Sequence, residues 1–136
     1  MSAETIEIVK RGYAAFNEGG VEAILPFLSP EIEWHTVEED PQRTEPYVGH
    51  DGVREFFRLW EEDMVDLEIE PEEFIDGGDC VLVLVTSRAR GRASGVPIEI
   101  HDAHIWTHDE NGLGTIYRDI LDRDKAFEAA GLKDAV

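Results

Sequence analysis

Apolar residues near the start of the chain recur every three or four positions, which places them on one face of a helix: Ile6, Val9, Tyr13 and Phe16. Ser2 can cap this helix, and the glycine pair at 19–20 ends it. A short second helix is predicted over 21–28, where Ser29-Pro30 breaks it. Apolar and polar residues then alternate through Trp34, which predicts a half-buried strand.

Turn residues interrupt the pattern over 37–49, where Asp40-Pro41 and Glu45-Pro46 predict a loop. A third helix is predicted over 51–63, because its apolar residues again share one face: Val53, Phe56, Phe57 and Trp60.

Strand patterns dominate the rest of the chain. Alternating residues predict strands over 65–70, 80–92, 96–108 and 115–121, and glycine-containing turns separate them. Asp122 is best explained as the cap of a final helix that reaches Ala130 and ends at Gly131.

Helices that precede a run of four strands are typical of an α+β fold. The sequence has no linker or internal repeat that would divide it, so we expect a single domain over 1–136. The prediction is a curved antiparallel sheet packed against three N-terminal helices, with a short C-terminal helix. Strong curvature would leave a cavity between the sheet and the helices.

The charge balance excludes two classes of partner. Acidic residues outnumber basic ones by 31 to 12, which gives a net charge of -19. Nucleic acids and anionic membranes recruit Lys and Arg, so neither is an expected partner. No apolar stretch approaches the ~20 residues that a membrane span needs.

The single cysteine, Cys80, lies in an apolar run and cannot form an internal disulfide, so a buried thiol in a reducing compartment is the simplest interpretation. The residues after Met1 do not form a signal peptide, and we expect a cytoplasmic protein.

Five segments together resemble the SnoaL-like branch of the nuclear transport factor two-like superfamily. They lie at 12–17, 28–35, 48–57, 103–107 and 121–132, so the resemblance covers nearly the whole chain. Similar proteins include polyketide cyclases, ketosteroid isomerases and limonene-epoxide hydrolases, as well as binding and dimerisation domains without activity. The resemblance implies a cone open at one end, a small-molecule ligand inside it, no cofactor and a homodimer.

Asp119 is the first candidate catalytic residue. Its segment, 117–122, resembles the last strand of the cyclases and epoxide hydrolases, where an acidic residue moves a proton. A carboxyl group between Tyr117 and Leu121 on one strand face would lie in apolar surroundings, which raise the pKa of an Asp toward a useful range. The alternative is an outward Asp119 paired with Arg118 or an Arg of another strand.

Arg88 is the second candidate, because it resembles the Arg that epoxide hydrolases place beside the substrate oxygen. Arg90 stands where those enzymes have an Asp, and a cation cannot share that carboxylate's proton transfer, which argues against epoxide hydrolysis. The two side chains share a strand face, so they would either bind an anionic ligand group or balance the acidic surface.

His104 is the third candidate, because the cyclases have a His near this position that assists the acid. It shares a strand face with Asp102 and Trp106, and a hydrogen-bonded structural His is the alternative. His101 and His104 fall on opposite faces, so no metal site is predicted.

Aromatic residues are the candidate substrate contacts. Trp34 is favoured over His35, because neighbours on a strand point to opposite faces. The alternative for each of these aromatic residues is an ordinary position in the hydrophobic core. The predicted wall residues are Tyr13, Phe16, Trp34, Phe57, Trp60, Trp106 and Tyr117.

Three functional hypotheses follow. The first is a cofactor-free enzyme of isomerase, cyclase or hydrolase type on a compact apolar substrate, in which Asp119 moves the proton, His104 assists and Arg88 stabilises negative charge. The second is a binding domain without activity, and the third is a dimerisation module whose cone is filled. Convergence of Asp119, His104 and Arg88 in one cavity distinguishes the first from the second.

Overall fold

A computed structural model describes residues 3–37 and 45–132. The helices are α1 (Ala3–Gly19), α2 (Val21–Ile24), α3 (Gly49–Trp60) and α4 (Arg123–Ala129). The strands are β1 (Leu28–Val37), β2 (Tyr47–Val48), β3 (Met64–Asp76), β4 (Val81–Gly91), β5 (Pro97–His108) and β6 (Gly114–Ile120). The predicted α+β order of helices followed by strands is confirmed.

All six strands form one sheet in the order β2-β1-β6-β5-β4-β3. Strands β3 to β6 make the predicted antiparallel meander. The sheet as a whole is mixed, because β1 pairs with β6 in parallel. Strand β1 lies near the start of the chain and pairs with β6, the last strand. No hairpin turn connects the two strands, so the sequence pattern does not predict this long-range pairing.

Some element boundaries differ from the sequence prediction. The second helix stops early, because a 3-10 turn over Leu25–Phe27 contains Pro26, which has no N–H to donate to an α-helix. Strand β2 and the start of α3 fall within the predicted loop, and Gly49 there takes a φ of 75°. The predicted cap Ser2 and the Asp40-Pro41 turn lie outside the described residues.

The curvature of the sheet has a visible origin in β3. Its register with β4 shifts twice, once between Val65 and Glu68 and once between Pro71 and Glu73. Asp66 lies in the first bulge with a φ of 59°, a conformation that Asp tolerates better than most residues. Bulges of this kind increase local twist and bend the strand, so the sheet wraps toward the helices.

The two faces of the sheet meet different partners. On the concave side, Val81, Val83 and Val85 pack against Val9 and Tyr13 of α1. The side chain of Asn17 exchanges two hydrogen bonds with the backbone of Ile69, at 2.7 and 3.0 Å, and so fixes the end of α1 to β3.

On the convex side, Leu82 and its neighbours on β5 and β6 pack against Ala126 and Ala130 at α4. The predicted cap is confirmed, since the Asp122 carboxylate accepts hydrogen bonds from the backbone N–H groups of Asp124 and Lys125. Cys80 is buried in this cluster, and burial raises the pKa of its thiol. None of the helices within 3–37 and 45–132 is long and apolar enough to cross a membrane.

Candidate functional site

A cavity of about 700 Å³ lies between the concave face of the sheet and helices α1 and α3. Its wall includes every aromatic residue that the sequence analysis selected: Tyr13, Phe16, Trp34, Phe57, Trp60, Trp106 and Tyr117. All three tryptophans of the chain are therefore cavity residues. Leu59, Ile100 and Leu121 also line it and are exposed, which gives the cavity apolar surface open to solvent.

Because successive side chains of a strand point to opposite faces, three polar side chains of β5 and β6 face this largely apolar cavity. Asp102 and His104 of β5 lie two positions apart and face inward, as does Asp119 of β6. His104 and Asp119 are directly paired across the two strands. The same alternation places Tyr117 and Leu121 in the wall on either side of Asp119. Asp119 therefore has the inward orientation and not the alternative, outward one in which it pairs with a surface Arg.

The three side chains are close enough to act as one group. His104 Nε2 lies 3.3 Å from Asp102 Oδ2 and 3.8 Å from Asp119 Oδ1. The side chains of His104 and Asp102 are 3% and 5% exposed, whereas that of Asp119 is 19% exposed. Asp119 is therefore the member of the trio that a molecule in the cavity reaches first.

Asp102 was not selected as a site residue by the sequence analysis, although the structure strongly perturbs its carboxyl group. Burial by itself would raise its pKa, but hydrogen bonds from His104 and Asp119 outweigh burial and lower the pKa to about 2. The Ser87 hydroxyl also donates to Asp102 Oδ1 at 3.2 Å. The signal that could have identified Asp102 is its two-residue spacing from His104 on the same strand face.

Tyr13 contributes a hydroxyl group as well as an apolar wall. Its Oη lies 2.6 Å from His104 Nδ1, and the indole N–H of Trp106 donates to it at 2.9 Å. Burial raises the pKa of Tyr13 well above its ordinary value, so the phenol keeps its proton. Burial also raises the pKa of Tyr117, whose ring stacks on Trp34 with centroids 3.9 Å apart.

The structure does not bring Arg88 or Arg90 to the cavity, which corrects the prediction that they bind substrate there. Their side chains are 45% and 55% exposed and form surface ion pairs. Arg88 binds Glu70 and Glu99, at 2.7 and 3.0 Å, and Arg90 binds Asp66. Because the side chains of a strand alternate, Ser87 and Ala89 occupy the cavity wall in their place.

The other histidines of the sequence analysis lie apart from the trio. His35 is bonded to Glu33, and His101 contacts Thr86 and Glu99. Within the described residues, Asp102, His104 and Asp119 are the group whose ligand atoms all lie within 4.8 Å of one another, so they are also the residues that could surround a cation. The expectation of no metal remains a prediction.

The chain resembles known proteins in its sequence and in its fold. The family model of the SnoaL-like domain matches residues 9–116, whereas no curated protein sequence matches. An NTF2-like protein of unknown function from Burkholderia pseudomallei is 26% identical over 93% of this chain and 97% of its own, with a TM-score of 0.76. TerC, crystallised with polyporic acid, is 28% identical over 93% and 98%, also with a TM-score of 0.76.

A third solved structure shares the fold alone. SalBIII, an epoxide hydrolase/cyclase-like enzyme with a role in pyran ring formation in polyether salinomycin, is 21% identical over 88% of this chain and 91% of its own, with a TM-score of 0.73. The family model covers most of the chain and includes β5 and the start of β6. This chain therefore belongs to the SnoaL-like domain family.

Proposed function

We propose that this protein binds a compact, mostly apolar small molecule in its cavity and transforms it by acid/base chemistry without a cofactor. The observation that carries the proposal is the convergence of Asp119, His104 and Asp102 on one wall of an otherwise largely apolar cavity. Carboxyl groups that are held in such surroundings can act as general acids and bases.

The two carboxyl groups have different roles in the proposal. Asp102 is the ionised partner, because Ser87, His104 and Asp119 all hydrogen-bond to it. Two carboxyl groups this close do not both ionise readily, so Asp119 retains the proton that the pair shares. Asp119 is also the more exposed of the two, and it is the group that would give this proton to a ligand or take one from it.

The cavity favours an uncharged substrate. Within the described residues, neither Lys nor Arg lines it, whereas Asp63, Asp102 and Asp119 do. Negative charge that develops on a ligand oxygen would therefore be stabilised by the Asp119 proton and not by Arg88. A ketone, enol or epoxide oxygen beside Asp119 fits these requirements, and isomerisation, cyclisation and hydration all begin with such a proton transfer.

Related structures support the ligand class but do not select the reaction. TerC, which is more than a quarter identical to this chain, was crystallised with the small molecule polyporic acid. SalBIII, a more distant protein of the same fold, is described as epoxide hydrolase/cyclase-like. The cavity also argues against the filled cone expected of a dimerisation module without a ligand.

The homodimer implied by family resemblance is part of the proposal. Helix α4 covers the convex sheet face around Leu82, and the far part of that face carries the ion pairs of Arg88. We expect a dimer that buries the surface between these two regions. Sedimentation velocity of the full chain measures the mass directly.

The function is tested by ligand binding followed by turnover. Because all three tryptophans line the cavity, quenching of intrinsic fluorescence by cyclic ketones, enols and epoxides reports occupancy. Bound compounds are then incubated in D₂O and followed by proton NMR for deuterium uptake, isomerisation or ring opening.

We expect Asp119→Asn to bind the same compounds but to react about 10²-fold or more slowly, the range typical of a lost general acid or base. Arg88→Gln is the matched control and should react at the wild-type rate. Binding without turnover in every compound class would support the binding domain instead, and turnover that survives Asp119→Asn would contradict the assigned role.

A further inference from the structure

A series of hydrogen bonds leads from Trp106 in the cavity wall to the carboxyl pair. The indole Nε1 of Trp106 lies 2.9 Å from Tyr13 Oη, and Tyr13 Oη lies 2.6 Å from His104 Nδ1. The other ring nitrogen of His104 faces Asp102 and Asp119. Trp106 and His104 belong to β5 and Tyr13 belongs to α1, so this hydrogen-bond chain crosses the interface between the helix and the sheet.

The Trp106 end of the chain sets its direction. An indole N–H can only donate, so the Tyr13 oxygen must accept from it. The Tyr13 hydroxyl has one proton of its own, and His104 Nδ1 is the acceptor at hydrogen-bond distance. In the reverse arrangement, in which Nδ1–H donates to Tyr13, the buried oxygen would accept two hydrogen bonds and its own proton would need a different acceptor.

The carboxyl end of the chain requires the same direction. A neutral imidazole has one N–H, so an Nδ1 that accepts from Tyr13 leaves the proton on Nε2. That nitrogen faces Asp102 Oδ2 at 3.3 Å and Asp119 Oδ1 at 3.8 Å, and an ionised carboxylate only accepts. All the donors therefore point from Trp106 toward the carboxyl pair.

We infer that Trp106 and Tyr13 are positioning residues that hold His104 as the Nε2–H tautomer, so that its imidazole is a fixed donor to the carboxyl pair and not a base. In the proposed function, on which this role rests, His104 stabilises the charge of the pair when Asp119 gives up its proton. Asp119 is then the one member of the trio that exchanges a proton with the ligand. The tautomer itself exists in the protein whether or not it is an enzyme.

The tautomer is read directly from long-range proton–nitrogen NMR spectra of the full chain labelled with ¹⁵N-histidine, at a pH one to two units above the ~6.5 of free imidazole. His50 is an internal reference, because its Nε2 lies 2.9 Å from the carbonyl oxygen of Leu28, which can only accept. We expect His104 to show the same protonated Nε2 and a bare Nδ1. A protonated Nδ1, or an even mixture of tautomers, would overturn the inference.

Variants then distinguish the influence of Asp102 on the His104 tautomer from that of Trp106 and Tyr13. Asn at position 102 can either donate or accept, so Asp102→Asn removes the requirement for an N–H that the nearer of the two carboxyl groups places on Nε2. We expect His104 to keep its Nε2–H tautomer in Asp102→Asn, because Trp106 and Tyr13 still hold it. A change of tautomer in this variant would show that the carboxylate alone sets it, which would refute the role of Trp106 and Tyr13.

The matching double variant removes the Tyr13 hydroxyl as well as the Asp102 carboxylate, while Asp119 Oδ1, 3.8 Å from Nε2, is the same in both variants. In Asp102→Asn combined with Tyr13→Phe, the ratio of tautomers should shift by about fivefold to a hundredfold, the factor expected from one buried hydroxyl group. Asp102→Asn with Trp106→Phe provides the same comparison if the first variant does not fold. An unchanged ratio in a folded double variant would also overturn the inference. None of these spectra depends on ligand binding or turnover, so their outcome is independent of the proposed function.

Discussion

The Asp102 carboxylate should stabilise the fold only while it is ionised, and the Asp102→Asn variant measures this contribution. The structure lowers the pKa of Asp102 from its ordinary 3.8 to about 2, since hydrogen bonds from His104 and Asp119 outweigh burial. Each pH unit of such a displacement corresponds to about 1.4 kcal/mol, so the contribution at neutral pH is between about 2 and 3 kcal/mol. The asparagine keeps the shape of the side chain and removes its charge.

The sign of the pH dependence follows from the direction of the shift. A group whose pKa is lowered by folding binds its proton more readily in the unfolded chain, so its contribution is complete above about 3.8. The contribution then decreases as the pH falls through the folded-state value of about 2. The difference in unfolding free energy between wild type and Asp102→Asn should therefore be largest at neutral pH and shrink by about half near pH 3.

Urea denaturation followed by circular dichroism measures this difference at several pH values. The matched control is Asp79→Asn in the exposed β3–β4 turn, where a surface substitution should change stability by less than about 0.5 kcal/mol at any pH. A difference for Asp102→Asn that stays constant with pH would show that the carboxylate is not preferentially ionised in the folded protein. A more stable asparagine variant would mean that burial, and not hydrogen bonding, dominates at this position.

Three further results are expected. Asp122→Ala should lose about 1 kcal/mol of unfolding free energy in urea, because it removes the cap that accepts from two backbone N–H groups of α4, and an unchanged stability would contradict that role. Arg88→Gln should leave quenching of tryptophan fluorescence by neutral ligands unchanged, since the ion pairs of Arg88 lie outside the cavity. A higher Kd in this variant would mean that Arg88 reaches the ligand. Anionic analogues of a neutral ligand should bind at least about tenfold more weakly, because carboxylates and no described Lys or Arg line the cavity, and tighter binding would contradict the assigned substrate class.

Local patterns were sufficient to predict most of the fold. Alternation in β5 and β6 placed His104, Trp106, Tyr117 and Asp119 on faces that the structure confirms as cavity walls. The helix cap at Asp122 followed from its position between a strand and a helix. In each case the information lies within a few residues of the chain.

Features that depend on distant pairings could not be predicted in this way. The parallel contact of β1 with β6 joins strands at opposite ends of the chain. The first bulge of β3, at Asp66, also lacks a glycine or proline that would predict it. Local patterns therefore predicted the antiparallel meander of β3 to β6, which the structure confirms, but not the parallel pairing of β1 with β6.

The site was predicted only in part, for a related reason. The sequence fixes which residues share a strand face, but not which face of β4 turns toward the helices. Arg88 and Arg90 were expected in the cavity and lie outside it, where Glu70, Glu99 and Asp66 pair with them. The role of Asp102 depends on the partners that surround it, and three of those, Ser87, His104 and Asp119, come together only when β4, β5 and β6 pair.

The most direct test of the proposed acid/base centre is a ¹³C NMR titration of the Asp102 and Asp119 carboxyl groups, with the two single asparagine variants for assignment. If the two groups share one proton beside His104, the pair should titrate in two well-separated steps, the lower of them near pH 2. Removal of either carboxyl group should leave a single step. Two independent titrations near the ~3.9 of a free Asp, unaffected by either variant, would contradict the centre.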